Sequence, residues 1–302
     1  LDLYTTCVNE SLNELAYPAR LAGLSYSFGS GYEGIYFSIN GYGGSAAILF
    51  DHVLDHMQNF RISEETFAAI KDRTIRGLEN FSKQDAWRIV RARNYELIQA
   101  ASYREAAQLP ILQQLTLTDV RDFTATLYSK AFIEALVHGD VSAERAVSLT
   151  RRMADTIGAS PIPVAATFSQ QYLQFPEHEE ILYAEQLEVN NSALRRDILL
   201  GETTPKNRAM AALLSPFLYQ PFFTEMRTNQ QLGYIAAAGA APLNAYQAYF
   251  YFILQSATHT ADDVAGRVSA FVATVPAMLE AVPAAAFDEL KAAAIEELKQ
   301  KE

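Results

Sequence analysis

The stretch Gly233-Tyr-Ile-Ala-Ala-Ala-Gly-Ala-Ala-Pro242-Leu-Asn-Ala-Tyr-Gln-Ala-Tyr-Phe-Tyr-Phe-Ile-Leu-Gln-Ser256 carries no charged side chain, and the charge-free run extends over residues 232–260. A run of this length invites reading as a membrane span, which needs about 20 consecutive apolar residues. Its pattern points elsewhere. Pro242, Asn244 and Gln247 interrupt it, and Tyr249, Tyr251 and Ile253 alternate with Phe250, Phe252 and Leu254, the period of a two-faced strand. The stretch therefore predicts two antiparallel strands, Gly233–Ala241 and Tyr246–Ser256, joined around Pro242–Asn244.

Working outward, a long helix at about Lys206–Gln230 precedes this hairpin, and helices at about Ala261–Leu279 and Pro283–Gln300 follow it. The first half shows the same order. A helix to about Ala22 leads through Gly23 into a strand pair, Leu24–Phe28 and Gly34–Gly41, and helices follow at Ser45–Asn59 and Ser63–Asn80. The last helices match in register: Phe67, Ile70, Thr74 and Leu78 correspond to Phe287, Leu290, Ala294 and Leu298. Between the repeats the pattern predicts helices Lys83–Gln108 and Leu117–Ser129, a strand Phe132–Gly139, a helix Ser142–Ile157, and strands Glu180–Val189 and Ser192–Leu200. Residues 159–178, with Pro161, Pro163 and Pro176, read as a linker between domains 1–158 and 179–302. Hairpins covered by long helices give an α+β class, two related domains of antiparallel sheet.

Composition narrows the function. In 302 residues, 50% are hydrophobic and 20% charged, enough apolar material for two cores and too much for a disordered chain. The net charge of −11 argues against nucleic acid or an anionic membrane as the main partner. A single cysteine, Cys7, excludes an intrachain disulfide and sits on the apolar stripe of the first helix, a small core residue rather than a nucleophile. The chain opens at Leu1 without a basic and then apolar leader, and helical periodicity runs from the first residues and to the last. These features suggest a piece excised from something longer, with both domains truncated. The compartment is left open.

Two strings carry candidate chemistry. His52-Val-Leu-Asp55-His56 puts two histidines four apart on one helix face, the spacing of a zinc site with an acid as base. The same helix aligns Phe50, Val53, Leu54 and Met57, so Asp51, His52, Asp55 and His56 form its polar, solvated side. Glu134 lies on a strand and makes a poor third ligand, and the solvated face is the better reading. His138, His178 and His259 have no partner at ligand spacing, and the glycines of 29–44 suit hairpin turns, not a phosphate loop. The second string is Phe222-Phe-Thr-Glu225-Met-Arg227-Thr-Asn-Gln230-Gln231-Leu-Gly233-Tyr234. It brings Arg227 and Tyr234 to one helix-to-strand corner, with Gly233 suited to a positive φ or a close backbone approach. The residues alone leave two readings: donors for a peptide carbonyl or developing oxyanion, or an arginine at a helix C-terminus beside a tyrosine packed on the sheet end.

Phe223-x-x-Met-Arg227-Thr-x-Gln-Gln231-Leu-Gly-Tyr234 resembles the Phe-x-x-Leu-Arg-Thr-x-x-Gln-Leu-Gly-Tyr stretch of the pitrilysin and insulin-degrading-enzyme family of zinc peptidases. So do Ser11-Leu-Asn-Glu-Leu-Ala-Tyr17 through Leu21-Ala-Gly-Leu-Ser-Tyr26, the strand Gly34–Tyr42, the run Phe132–Gly139 and Phe252-Ile-Leu-Gln255-Ser256. The resemblance covers essentially the whole chain. It implies the processing-peptidase-like fold, with four related α+β domains in two halves around a peptide chamber. This chain then corresponds to most of the third domain and the first part of the fourth. It further implies that zinc belongs to an N-terminal half of the same polypeptide, with no metal ligand here, and that peptides are the substrates. In that family the zinc helix precedes the equivalent hairpin, whereas His52–His56 follows it. By the same resemblance Tyr234 takes a catalytic role, steadying the tetrahedral intermediate. Arg227 binds substrate carbonyls, and Glu225 and Gln231 orient the corner. The alternative is a non-catalytic partner subunit of the same fold that binds peptide or scaffolds a complex.

Overall fold

The computed structural model describes residues 1–31, 33–42, 44–173, 179–243 and 247–300. His178, Asn244, Tyr246, Gly43 and the side chain of Leu298 lie outside them. In chain order the elements are α1 (Asp2–Leu21), β1 (Ser25–Gly31), β2 (Gly34–Asn40), α2 (Ala46–Asn59), α3 (Glu64–Glu79), α4 (Ala86–Ile98), α5 (Glu105–Gln114), α6 (Leu117–Leu127), β3 (Lys130–Ala131), α7 (Ala143–Ile157) and β4 (Ser160–Pro161). After them come β5 (Ser192–Glu202), α8 (Pro205–Phe223), a π-helix (Thr224–Asn229), β6 (Ile235–Pro242), β7 (Gln247–Ser256), α9 (Ala261–Glu280) and α10 (Ala284–Gln300). The order α1–β1–β2–α2–α3 thus returns as α8–β6–β7–α9–α10, and the fold is mixed helix and antiparallel sheet.

The chain forms two compact units, residues 1–79 with 99–173, and residues 80–98 with 174–302. Residues 80–98, placed by the sequence in the first domain, pack with the second unit. The reason is chemical: Asn94 and Tyr95 on α4 reach Asp197 of β5 and Tyr249 of β7.

In the first unit, Leu3, Cys7, Val8 and Leu12 of α1 are buried against Phe28 of β1, Val53, Leu54 and Met57 of α2, and Phe67 and Ile70 of α3. A two-stranded hairpin is marginal by itself, and here α1 supplies the apolar surface that holds it. Asn9 Nδ2 donates to the Phe28 carbonyl at 2.9 Å, fixing α1 to β1. Tyr4 donates to the Met57 carbonyl and shares a 2.7 Å hydrogen bond with Tyr128, so its buried hydroxyl is satisfied. Start signals are clear at α6, where Thr116 and Asp119 form a reciprocal capping box, and at α7, capped by Ser142 and stopped by Gly158 at φ +66.

The second unit is built on a three-stranded antiparallel sheet in the order β5-β7-β6. Register decides which side chains share a face. Leu254, Phe252 and Phe250 of the central strand pair with Ala236, Ala238 and Ala240 of β6 and, for Leu254, with Leu194 of β5. That face forms the core with Phe222 of α8 and Val264, Val268 and Phe271 of α9. Phe222 meets Phe252 and Phe271 edge-on, with ring centroids 5.1 Å and 5.2 Å away. Alanines opposite phenylalanines let α8 lie close along β6. Ser215 on that helix accepts the Ala240 backbone N–H at 2.8 Å, which closes part of the sheet edge.

The opposite face is polar and aromatic. Arg195 of β5 donates through Nε to Asp197 at 2.9 Å, and its guanidinium lies 5.8, 5.3 and 5.0 Å from the rings of Tyr95, Tyr249 and Tyr251. Asn94 donates to the second Asp197 oxygen at 2.6 Å. Burial raises the Asp197 pKa above the ordinary carboxylate value, and Arg195 opposes that shift.

The structure corrects several sequence expectations. The helix over 83–108 is two helices, because the Ala100 N–H leaves the helical ladder to bond the Gln171 carbonyl at 2.8 Å. Residues 132–139 and 180–189 form no strand. Only Lys130–Ala131 pairs, with Ser160–Pro161, and Leu136 and Leu182 are 93% and 85% exposed. An alternating pattern without a neighbouring strand to bond has nothing to hold it extended. Glu134 is therefore not on a strand, and it is exposed. The helix over 206–230 ends as a π-helix, and α10 differs from α3 in leaving Phe287 46% exposed where Phe67 is 4%. No single helix among the described residues is long and apolar enough to cross a membrane.

A Phe222→Ala variant is expected to lose about 3–5 kcal/mol of second-unit stability, read from a denaturant midpoint shift. Gly233 meets a harder limit: a methyl group added there would stand 1.8 Å from the Gln255 carbonyl oxygen. Gly233→Ala should cost about 3 kcal/mol or more in the same measurement.

Candidate functional site

Three buried side chains set the orientation of the helix that leads into the corner. Leu218, Phe222 and Met226, four apart, are 3%, 0% and 0% exposed. Their neighbours one residue on, Tyr219, Phe223 and Arg227, therefore line an adjacent, partly exposed stripe. Tyr219 stacks on Phe223 with centroids 6.1 Å apart. The Arg227 guanidinium follows, 4.9 Å from the Phe223 ring and 4.2 Å from the Tyr234 ring. A cation over two aromatic faces is held without consuming its N–H donors.

The turn that brings Tyr234 back to Arg227 is built from specific contacts. The helix widens at 224–229, and the Gln230 N–H bonds the Glu225 carbonyl five residues back at 2.9 Å. Leu232, 1% exposed, anchors the far side, and its N–H bonds the Met226 carbonyl at 2.9 Å. Between them Gln231 has φ +52, a left-handed conformation uncommon for a side-chain-bearing residue. The expected glycine conformation at this corner thus falls on Gln231. Gly233 serves the other expectation, a close backbone approach.

Arg227 and Tyr234 are in contact: Tyr234 is 76% exposed, and Arg227 lies half-buried against its ring. Glu225 does not touch that pair in its hydrogen bonds. It accepts from Gln230 Nε2 and Asn229 Nδ2, each at 2.8 Å, and these bonds hold its carboxyl below the ordinary glutamate pKa. Gln231 is exposed, with its backbone making the turn. Sequence reasoning missed Gln230 and Arg267. Arg267 on α9 donates to Gln230 Oε1 at 2.8 Å and to Asp263 at 2.9 Å. Gln230 lies inside the motif, so its amide was a readable signal. Arg267 is 37 residues away from it in sequence and gave none.

The histidine pair fits no metal site. His52 and Asp55 are exposed, His56 Nδ1 contacts the His52 carbonyl at 2.9 Å, and Asp51 pairs with Arg152 at 2.7 Å. Among the described residues no three His, Cys, Asp or Glu side chains converge as a metal ion requires. Cys7 is fully buried, and burial lifts its thiol to about 11, which makes it inert as a nucleophile.

Two family models match the chain: the middle or third domain of peptidase M16 over residues 1–110, and the C-terminal lobe domain 4 of PqqF-like PQQ synthase proteins over residues 213–302. Human insulin-degrading enzyme is 29% identical over 98% of this chain and 29% of its own length. The chain spans less than a third of the length of such relatives. The crystal structure of pitrilysin superposes with a TM-score of 0.84 at 21% identity, covering 98% of this chain and 31% of that one. A peptidase M16 inactive domain from Pseudomonas fluorescens superposes at 0.65 with 14% identity, covering 99% and 73%. The chain is homologous to insulin-degrading enzyme, shares the fold of pitrilysin, and matches a C-terminal region of the insulin-degrading-enzyme family.

Proposed function

We propose that this chain is the substrate-binding, chamber-forming C-terminal half of a pitrilysin-type zinc metalloendopeptidase, not catalytic by itself. In this reading residues 1–158 represent the third domain and 179–302 the fourth, both truncated. An N-terminal half of the same polypeptide carries the zinc, and peptides are the substrates. The observation that supports it most is the contact of half-buried Arg227 with exposed Tyr234 on a corner pinned by Leu232 and Gly233. Two donors held there can receive a peptide carbonyl without reorganising, which is where preorganised hydrogen bonding is most effective. Arg227 is the group for ground-state carbonyls, and the Tyr234 hydroxyl is the group for an oxygen that gains charge. Tyr219 and Phe223 extend the same stripe as apolar surface. The homology of the chain to one region of this peptidase family supports the assignment to a half.

Binding of a fluorescent unstructured peptide to the 302-residue chain tests the reading. Arg227→Ala is expected to weaken binding about tenfold with an unchanged thermal midpoint. Equal binding by the variant overturns the role of Arg227. In the complete polypeptide, Tyr234→Phe should lower kcat about a hundredfold with little change in KM, and unchanged kinetics would refute its role. The 302-residue chain is expected to retain no stoichiometric zinc after dialysis. One zinc per chain by metal analysis, lost in His52→Ala, contradicts the placement of the metal elsewhere.

A further inference from the structure

We infer that Arg267 is a positioning residue for the Arg227–Tyr234 corner, acting through the side-chain amide of Gln230; the consequence for peptide binding rests on the function proposed above. An amide side chain can present its oxygen or its nitrogen to a given neighbour, and the two orientations differ little in shape. At Gln230 both ends are dictated by charge. Arg267 Nη1 donates to Oε1 at 2.8 Å, which requires the oxygen to face α9. Nε2 then faces Glu225 and donates to its carboxylate at 2.8 Å. Reversing the amide would set oxygen against a carboxylate and N–H against a guanidinium, so both contacts would turn repulsive. Asp263, one turn earlier on α9, receives Arg267 Nε at 2.9 Å and aims the guanidinium.

The lock sits at a mechanically sensitive place. Gln230 closes the π-helix through its backbone N–H to the Glu225 carbonyl, and its side chain bonds the carboxylate of the same residue. The next residue, Gln231, carries the left-handed φ, a conformation that persists only where its surroundings impose it. Arg227 lies inside the π-helix and Tyr234 just beyond the turn. The 4.2 Å stacking of one on the other therefore depends on the path of 225–233. Leu232 and Gly233 hold the far end of that path by burial and close approach, and Arg267 holds the near end by charge.

Side-chain NMR of the 302-residue chain tests this directly. In the unmodified chain the Arg227 δ-methylene protons should be shifted upfield by the Phe223 and Tyr234 rings, and the Gln230 amide protons should exchange slowly. Arg267→Ala is expected to abolish both signatures while the thermal midpoint moves by a few degrees at most. Arg267→Lys should restore the slow amide only partly, since one ammonium cannot replace the fork that bonds Asp263 and Gln230 together. The Lys variant also gives the readout if the Ala variant fails to fold. Retention of the full Arg227 ring shift in either variant overturns the inference. In the peptide assay Arg267→Ala should weaken binding about fivefold, and should have no further effect when added to Arg227→Ala. Additive losses there would mean a general structural role and overturn the inference. A chain that binds no peptide at all, yet loses the ring shift in Arg267→Ala, refutes the proposed function and leaves the positioning role standing.

Discussion

The approach of Gly233 to the carbonyl of Gln255 is the contact on which the second unit depends. A side chain at position 233 would occupy the space of that oxygen, so glycine is required for steric reasons alone. Gln255 is a junction in its own right. It pairs with Ala193 of β5 and Ile235 of β6, and its side-chain oxygen accepts the Trp87 N–H at 2.9 Å, near the start of α4. One residue thus ties the helix-to-strand corner to the sheet and the sheet to the helix on its far face. The repeat makes the comparison sharp. Gly23, at the matching position in the first unit, has φ +75 and open space where a side chain would point. The same residue type answers two different constraints, conformation in one copy and volume in the other.

The central strand β7 explains why both faces of the sheet need cover. Its Phe250, Phe252 and Leu254 fill an apolar core under α8 and α9, while Tyr249 and Tyr251 surround Arg195 and Asp197 beneath α4. A buried charge pair of this kind is weak as a source of stability, because desolvation offsets much of its attraction. Its geometry nevertheless selects one partner: Asn94 and Tyr95 of α4 have hydrogen-bonding groups that an apolar helix would lack. That selectivity accounts for a helix from the middle of the chain packing onto strands a hundred residues later.

Legibility in the sequence followed the range of the interaction responsible. The β6–β7 hairpin and the helices on either side of it are readable from strand alternation and helical periodicity, since those signals lie within a few residues. The break at Ala100 is not, because Gln99, Ala100 and Ala101 favour a helix there and the competing partner, Gln171, is remote. Residues 132–139 and 180–189 failed in the opposite way: their local alternation was strand-like, but no bonded neighbour exists for them among the described residues. At the corner, the spacing around a turn places Arg227 and Tyr234 together, and only the family resemblance lends them a role. Gln230 looks in the string like any polar turn residue, and Arg267, 37 residues on, has no local mark at all.

The sequence by itself determined the residue types at the corner, the two-faced character of β7, the order of elements that repeats, and the absence of an intrachain disulfide. Tertiary structure decided that Arg227 rests between Phe223 and Tyr234, that the left-handed residue is Gln231 and not Gly233, and that Arg267 of α9 bonds the turn at Gln230. The division has a physical cause. Periodicity, capping and turn chemistry act between residues close in the chain, so they are written in short strings. Close approach, ring stacking and charge-directed amide orientation act between groups that only folding brings together.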